Sequence, residues 1–258
     1  MSAAKRLFLL ALAISLIYLL PSFAPDDPYR AETGVQLQPP SMEHPFGTDL
    51  LGRDVLSRTM HGGARSVRIA LMGTAIALIS GIMIGAAAAS SPRWVDRLIS
   101  PIIDTFLALP GFVLALVMIT LIGTGETAIM FAVGIAQIAP TARVARAAVL
   151  TVRSQGYVDA AKQLGAPPMW IMTRHLLPNS APTLTAYAGV VFSYALLNGA
   201  ALAFLGLGGD PSVPDWGAML YEGRIAFRSA PWVAFFPGAA ITGVILVAGW
   251  VARLNPRK

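Results

Sequence analysis

The chain has 258 residues, of which 55% are hydrophobic and 12% charged, about half the charged share of a soluble domain, which argues against a water-soluble globular class. A formal charge of +6 would suit nucleic acid, but no basic run carries interleaved aromatics and the arginines fall between apolar segments, so membrane topology accounts for them better. The chain has no cysteine, which removes disulfides and thiolate metal sites.

Lys5-Arg6 precede an apolar run from Leu7 to Leu20 that, with Pro21 to Ala24, approaches the ~20 residues needed to cross a bilayer. Residues 1–24 therefore read as a first transmembrane helix. Ser22-Phe23-Ala24 has the form of a signal-peptide cleavage site, yet Pro25 behind it would hinder cutting, so we expect a retained anchor with a cytoplasmic amino end. Residues 25–66 are polar and rich in proline and glycine and read as an outer loop. In it, Asp49, Arg53, Asp54 and Arg58 can pair if the segment is partly helical, although solvated pairs worth ~0–1 kcal/mol each suit the spacing equally well.

Five more apolar runs follow, at Ile69–Ala89, Ile99–Ile122, Ala128–Ala142, Leu184–Leu205 and Val233–Val251, making six spans. Small residues recur within them, as at Gly73, Gly81 and Gly85 or Ala195, Gly199 and Ala203, a spacing that lets helices approach closely in lipid. The expected fold is an all-α polytopic membrane protein, with a five-helix core over 67–252, an outer loop at 206–230 and a tail at 253–258. Threading from an inside start puts both termini and twelve of the nineteen basic residues in the cytoplasm, in keeping with the positive-inside bias. Leu205-Gly-Leu-Gly-Gly209 has no flanking strand and helix, so it reads as a close-packed turn, not a nucleotide fingerprint.

Between the fourth and fifth spans lies a polar island, Gly156 to Pro178, inside a cytoplasmic loop at 153–180. Tyr157, Val158, Ala161 and Leu164 share one face of a helix that Gly165 ends in a left-handed conformation. Pro167 and Pro168 suit the first turn of a second short helix, which Pro178 should stop. The expectation is two short helices joined by a fixed corner.

Chemistry of other kinds is hard to place. His44, His61 and His175 are scattered and have no metal-ligand spacing, and Lys5, Lys162 and Lys258 lack a P-loop context. Energised work would therefore need nucleotide hydrolysis on another chain. Asp104 is the main candidate for an ion-coupling carboxylate, but a structural pair with Arg97, one to two turns earlier, is the favoured reading. A membrane enzyme would have to use His44, Asp49 or His61, and an ion-driven carrier Asp104.

Asp159-Ala160-Ala161, three residues, Gly165, nine residues and then His175-Leu-Leu177-Pro178 resemble the EAA motif of permease subunits in binding-protein-dependent ABC importers. Asp159 stands for the usual glutamate and His175 for an apolar residue. The run Arg174-His-Leu-Leu-Pro-Asn179 is similar to the form typical of permeases for dipeptides, oligopeptides and nickel. Three further segments resemble the C-type permease of that family. They are His44 to Arg58, with Gly47, Asp49, Gly52, Arg53 and Asp54 in register; Ala142-Arg-Val-Ala-Arg146; and Phe204 to Gly208 with Asp215-Trp216-Gly217. The resemblance covers about residues 44–220 and weakens at both ends, where Asn255-Pro256-Arg257 stands for the usual Asp-Pro-Arg.

The resemblance implies a type I importer permease in a bacterial cytoplasmic (inner) membrane, binding no cofactor itself. It implies a homologous second permease, two ATPase subunits that hold ATP and Mg, and an extracytoplasmic substrate-binding protein landing near 44–58 and 206–224. Short peptides are the expected cargo, with nickel or a metal chelate as the alternative. Ala166 to His175 should dock on an ATPase, with Trp170 as anchor, Met169 and Met172 adapting around it and Arg174 facing an acidic rim. A place for Trp170 at the membrane surface is the competing reading. Ser193, Tyr194 and Asn198 are candidates to line the pathway, or equally to bond between helices.

Overall fold

A computed structural model describes residues 15–253, and its regular elements are helical. Most of the first expected span lies outside the described residues; residues 15–19 are helical and continue into a short tight turn at Leu20–Phe23. The tail from residue 254 also lies outside them.

Helix α1, Val55–Ser90, is 36 residues long, about 54 Å at the α-helical rise, and exceeds a hydrocarbon core of ~30 Å. The loop expected over 25–66 therefore ends at Asp54. That aspartate sets the boundary, accepting the Ser57 N–H at 2.7 Å as an N-cap. Polar residues after it belong to the helix because they are buried and partnered: Thr59 bonds the Val55 carbonyl, and Ser66 bonds Asp215.

The run Ile99–Ile122 is not one straight span. It divides into α2, Arg93–Leu107, and α3, Gly111–Ile122, which meet at 92°. Pro110, extended at ψ 125, interrupts the winding because it has no N–H to continue the ladder. Helices α4, Glu126–Ala136, and α5, Ile138–Arg153, together make one long span.

After the polar island's α6, Gly156–Gln163, comes α7, Pro168–Ile171, then a π turn at Met172–Leu176 and α8, Leu177–Phe204. Pro168–Phe204 is continuous, so Pro178 does not stop the helix as expected. The π turn explains the difference. The Leu177 N–H reaches back five residues to the Met172 carbonyl, and this wider winding relieves the clash a proline ring makes in a tight helix. Helix α9, Trp216–Gly223, and α10, Trp232–Arg253, complete the described residues.

Among the described residues four helices are long and apolar enough to cross a membrane, or five if the bent α2–α3 pair counts as one span. The protein is thus a multi-pass helical membrane protein. Its main core joins α1, α3, α4, α8, α9 and α10 through residues such as Val67, Ile119, Ile129, Leu196, Trp216 and Val233. Glycines of α1 bring it against the α4–α5 span. A Cβ at Gly73 would strike Val133, one at Gly81 would strike Thr141, and one at Gly85 the Ala142 carbonyl.

Candidate functional site

The polar island folds as a projecting corner seated on a small core of its own. Val158 of α6 is fully buried among Ala86 and Ala89 of α1, Val149 and Val152 of α5, and Ile171 and Leu176. The Arg153 guanidinium also donates to the Ala89 carbonyl. The corner therefore stands on the ends of two spans and runs without a break into a third.

Gly165 makes the turn. Its φ is +81°, its N–H donates to the Lys162 carbonyl at 3.0 Å, and the Ala166 N–H donates to Ala161 at 3.1 Å. These two bonds form a left-handed helix-ending motif. A Cβ on Gly165 would meet nothing within 4 Å, so backbone conformation alone calls for glycine here. Asp159 is exposed in the first turn of α6 and pairs with Lys162 at 2.7 Å.

The outer surface of the corner carries large apolar side chains among its polar ones. Leu164 is 88% exposed, and Met169, Trp170 and Tyr157 are also exposed. Tyr157 and Leu164 therefore do not share the buried face with Val158, as helical periodicity suggests; α6 is two turns long and Leu164 sits beyond its last turn. Ala160 is exposed and Ala161 half-buried. Met172 turns inward onto the small core instead of flanking Trp170. The His175 ring packs between Trp170, at 5.0 Å, and Tyr157, at 5.6 Å. Sequence spacing does not show this trio, because the fold back at Gly165 creates it. Arg174 and Pro178 are exposed and Leu177 is half-buried.

The opposite end of the bundle is tied by a charged knot. Asp49 accepts from the Leu51 and Arg53 N–H groups and pairs with Arg53 Nε at 2.7 Å. Arg53 reaches Glu222 of α9 at 2.7 Å, and Arg58 lies 3.4 Å from Glu222 and 3.5 Å from Asp49. Both arginines and Asp49 are buried. The solvated surface pairs considered for this segment are thus replaced by a buried network closed by Glu222, a residue with no sequence signal linking it to Arg53. Among the described residues Asp54 pairs with no arginine; it caps α1 and holds His44 Nδ1 at 3.0 Å. Gly47 and Gly52 have positive φ, and a Cβ on Gly52 would collide with the Glu32 carbonyl.

Asp215 caps α9 through the Gly217 and Ala218 N–H groups and accepts from Ser66 at 2.8 Å. Trp216 inserts beside α1 and donates its indole N–H to the Thr59 carbonyl at 2.8 Å. Gly217 lies so close to α8 that a Cβ would strike the Ala200 carbonyl. Burial pushes the Asp215 carboxyl above its ordinary range, against the pull of Ser66 and the helix N–H groups. Burial likewise raises Glu222, against Arg58 and Arg53.

The remaining candidates do not converge. Ser193 gives its hydroxyl to the Gly189 carbonyl of its own helix, Tyr194 is exposed on α8, and Asn198 is half-buried. Asp104 pairs with Arg143 at 3.3 Å, not with Arg97, while Asp96 and Arg146 form a two-pronged pair at 2.6 and 2.7 Å. His61 bonds the Ser57 carbonyl. Ligand atoms of Asp26, His44 and Asp54 lie within 4.8 Å of one another, but the Asp54 oxygens are engaged by Ser57 and His44.

Residues 81–258 match the family described as "Binding-protein-dependent transport system inner membrane component". The chain is 38% identical to the dipeptide transport system permease protein DppC of Alkalihalophilus pseudofirmus, covering 82% of this chain and 69% of that one. It is also 38% identical to the di/tripeptide permease DppC of Pseudomonas aeruginosa, over 91% and 79% of the two chains. Against the glutathione permease GsiD of Pectobacterium atrosepticum the identity is 34%, over 93% and 79%. A solved structure of the inward-facing MetNI methionine ABC transporter shares the fold, with TM-score 0.65, 18% identity, and 78% of this chain and 97% of that one covered. With the family match spanning most of the described fold and relatives aligned over nearly the whole length, the chain belongs to the inner membrane components of binding-protein-dependent ABC importers.

Proposed function

We propose that this permease subunit imports short peptides, and that its Gly165 corner is the joint through which ATPase subunits move it. One observation carries the reading: the corner exposes Tyr157, Leu164, Met169 and Trp170 while resting on α1 and α5 and continuing into α8. A push on that surface reaches three spans, because its core is packed and its turn is fixed by two hydrogen bonds. In this reading the corner and both termini lie in the cytoplasm, and ATP and Mg reside on two partner ATPases. A homologous permease completes the pathway. Trp170 fills a pocket on the ATPase, stiffened from behind by His175.

The knot end then faces outward. Its motif residues, from His44 to Arg58 and from Asp215 to Gly217, are mainly fold-building, since most are buried in the network. The binding protein meets the exposed rim around them, including Met42, Leu51 and Asp210. Peptide cargo is favoured over a nickel chelate by the peptide permeases among the relatives. Engagement of His44, Asp49 and His61 in structural bonds supports a transport role over an enzymatic one.

Co-purification tests the joint. Trp170→Ala should weaken ATPase retention by about 30-fold, the equivalent of a ~2 kcal/mol interface anchor, with the permease pair intact. Retention equal to the wild type would contradict the assignment.

A further inference from the structure

The Arg143–Asp104 pair stands at a depth where its exposure has a consequence. Arg68 and Arg65 of α1 grip Glu126 at the start of α4, at 2.6 and 3.4 Å, and mark one charged edge of the bundle. Measured from Arg68 along α1, ~30 Å of hydrocarbon at ~1.5 Å per residue ends near Ala88. Gly85 packs against Ala142 and Arg146 of α5, and Gly81 against Thr141. Arg143 is therefore level with Ile84, about 6 Å inside the far edge, and Asp104 lies beside it.

Yet their side chains are 67% and 62% exposed. A charge facing hydrocarbon within a span is unfavourable, so this face looks onto water. Helix α2 carries the same division. Asp104 shares its side with exposed Arg97, Pro101 and Ala108, whereas Leu98, Ile102 and Phe106 form a separate apolar stripe. Ala108 and Phe106, two residues apart, point to nearly opposite sides at 100° per residue.

The two ion pairs of α2 also differ in kind. Asp96 is locked by two short bonds from Arg146 and a third from Ser100. Asp104 holds Arg143 by a single 3.3 Å contact. We propose that Arg143 and Asp104 form a docking station for zwitterionic solutes on the wall of the translocation pathway, an inference that rests on the importer reading above. A passing zwitterion replaces both partners at once. Arg143 takes its carboxylate in a two-pronged bond and Asp104 takes its ammonium, with no change in net charge at the site. The locked Asp96–Arg146 pair meanwhile keeps α2 on α5.

Because the chain has no cysteine, single-cysteine variants report the wet face directly. In the full reconstituted complex, Ala108→Cys should react with a charged, membrane-impermeant thiosulfonate, read by mass spectrometry of this chain, and Phe106→Cys should stay protected. Equal reaction, or none, at the two positions overturns the proposal. Asp104→Asn and Arg143→Gln should each lower uptake of a zwitterionic dipeptide about fivefold, the upper end for an exposed ion pair; Asp104→Asn should also abolish its preference over the N-acetylated dipeptide, which Arg143→Gln should keep. The double reversal Asp104→Arg with Arg143→Asp should restore both. Wild-type uptake in the single variants, or an undiminished preference in Asp104→Asn, would overturn the proposal; where a variant assembles poorly, the labelling contrast decides. Absence of ATP-dependent uptake by the wild type would instead strike the importer reading, and the labelling contrast would still report the face.

Discussion

Replacing Gly165 separates backbone conformation from side-chain contact at the corner. The site has φ +81° and open space where a Cβ would stand, so alanine meets no neighbour and its effect is conformational. Alanine in a left-handed conformation should cost ~1–2 kcal/mol. Asparagine tolerates that region and should cost less, while valine, branched at Cβ, should cost more than alanine. The loss falls on the corner itself, where the Gly165 and Ala166 N–H groups close the turn. Hydrogen exchange at those two amides should quicken about 5- to 30-fold for alanine, by the same free energy, with the order asparagine, alanine, valine. ATPase coupling in the assembled transporter should fall in that order. An asparagine variant worse than alanine, or a valine variant equal to it, would refute the conformational argument.

Other perturbations probe the knot. Gly52→Ala combines a positive φ with collision against the Glu32 carbonyl, so it should destabilise by ~3 kcal/mol or more and lower the melting temperature further than Gly165→Ala. Asp215→Ala removes an N-cap and should cost ~1–2 kcal/mol, whereas Asp215→Asn keeps an acceptor and should cost far less in the same melt. The pH dependence has a definite sign. Burial raises the Asp215 carboxyl above its ordinary 3.8, so the folded state holds that proton more tightly and loses stability as pH rises through the window above 3.8. The melting temperature of Asp215→Asn relative to wild type should therefore be more favourable at pH 7.5 than near pH 4; a difference independent of pH would contradict it.

The apolar runs show the spans, because hydrocarbon demands length and hydrophobicity that composition makes visible. The small residues Gly73, Gly81 and Gly85 likewise mark a true close packing. What sequence spacing hides is pairing at a distance. Residues 55–66 look like loop because Arg58 and Ser66 are polar, yet Glu222 and Asp215 satisfy them from far along the chain. Proline alone is also ambiguous. Pro110 follows the end of α2 and begins a 92° bend, whereas Pro178 follows a π turn and lets the helix continue. At the corner, the motif residues locate the turn at Gly165, but not the packing of Trp170 and Tyr157 on His175, which depends on the angle of the turn.

The most direct test of the mechanical reading is uptake of a radiolabelled dipeptide into proteoliposomes. The vesicles would hold this chain with its second permease, ATPases and binding protein, or this chain alone. Uptake should require the full assembly and hydrolysable ATP, and should fall sharply for Trp170→Ala at undiminished permease content. Uptake by this chain alone under an ion gradient, or uptake by the full assembly with only a non-hydrolysable ATP analogue, would contradict the account.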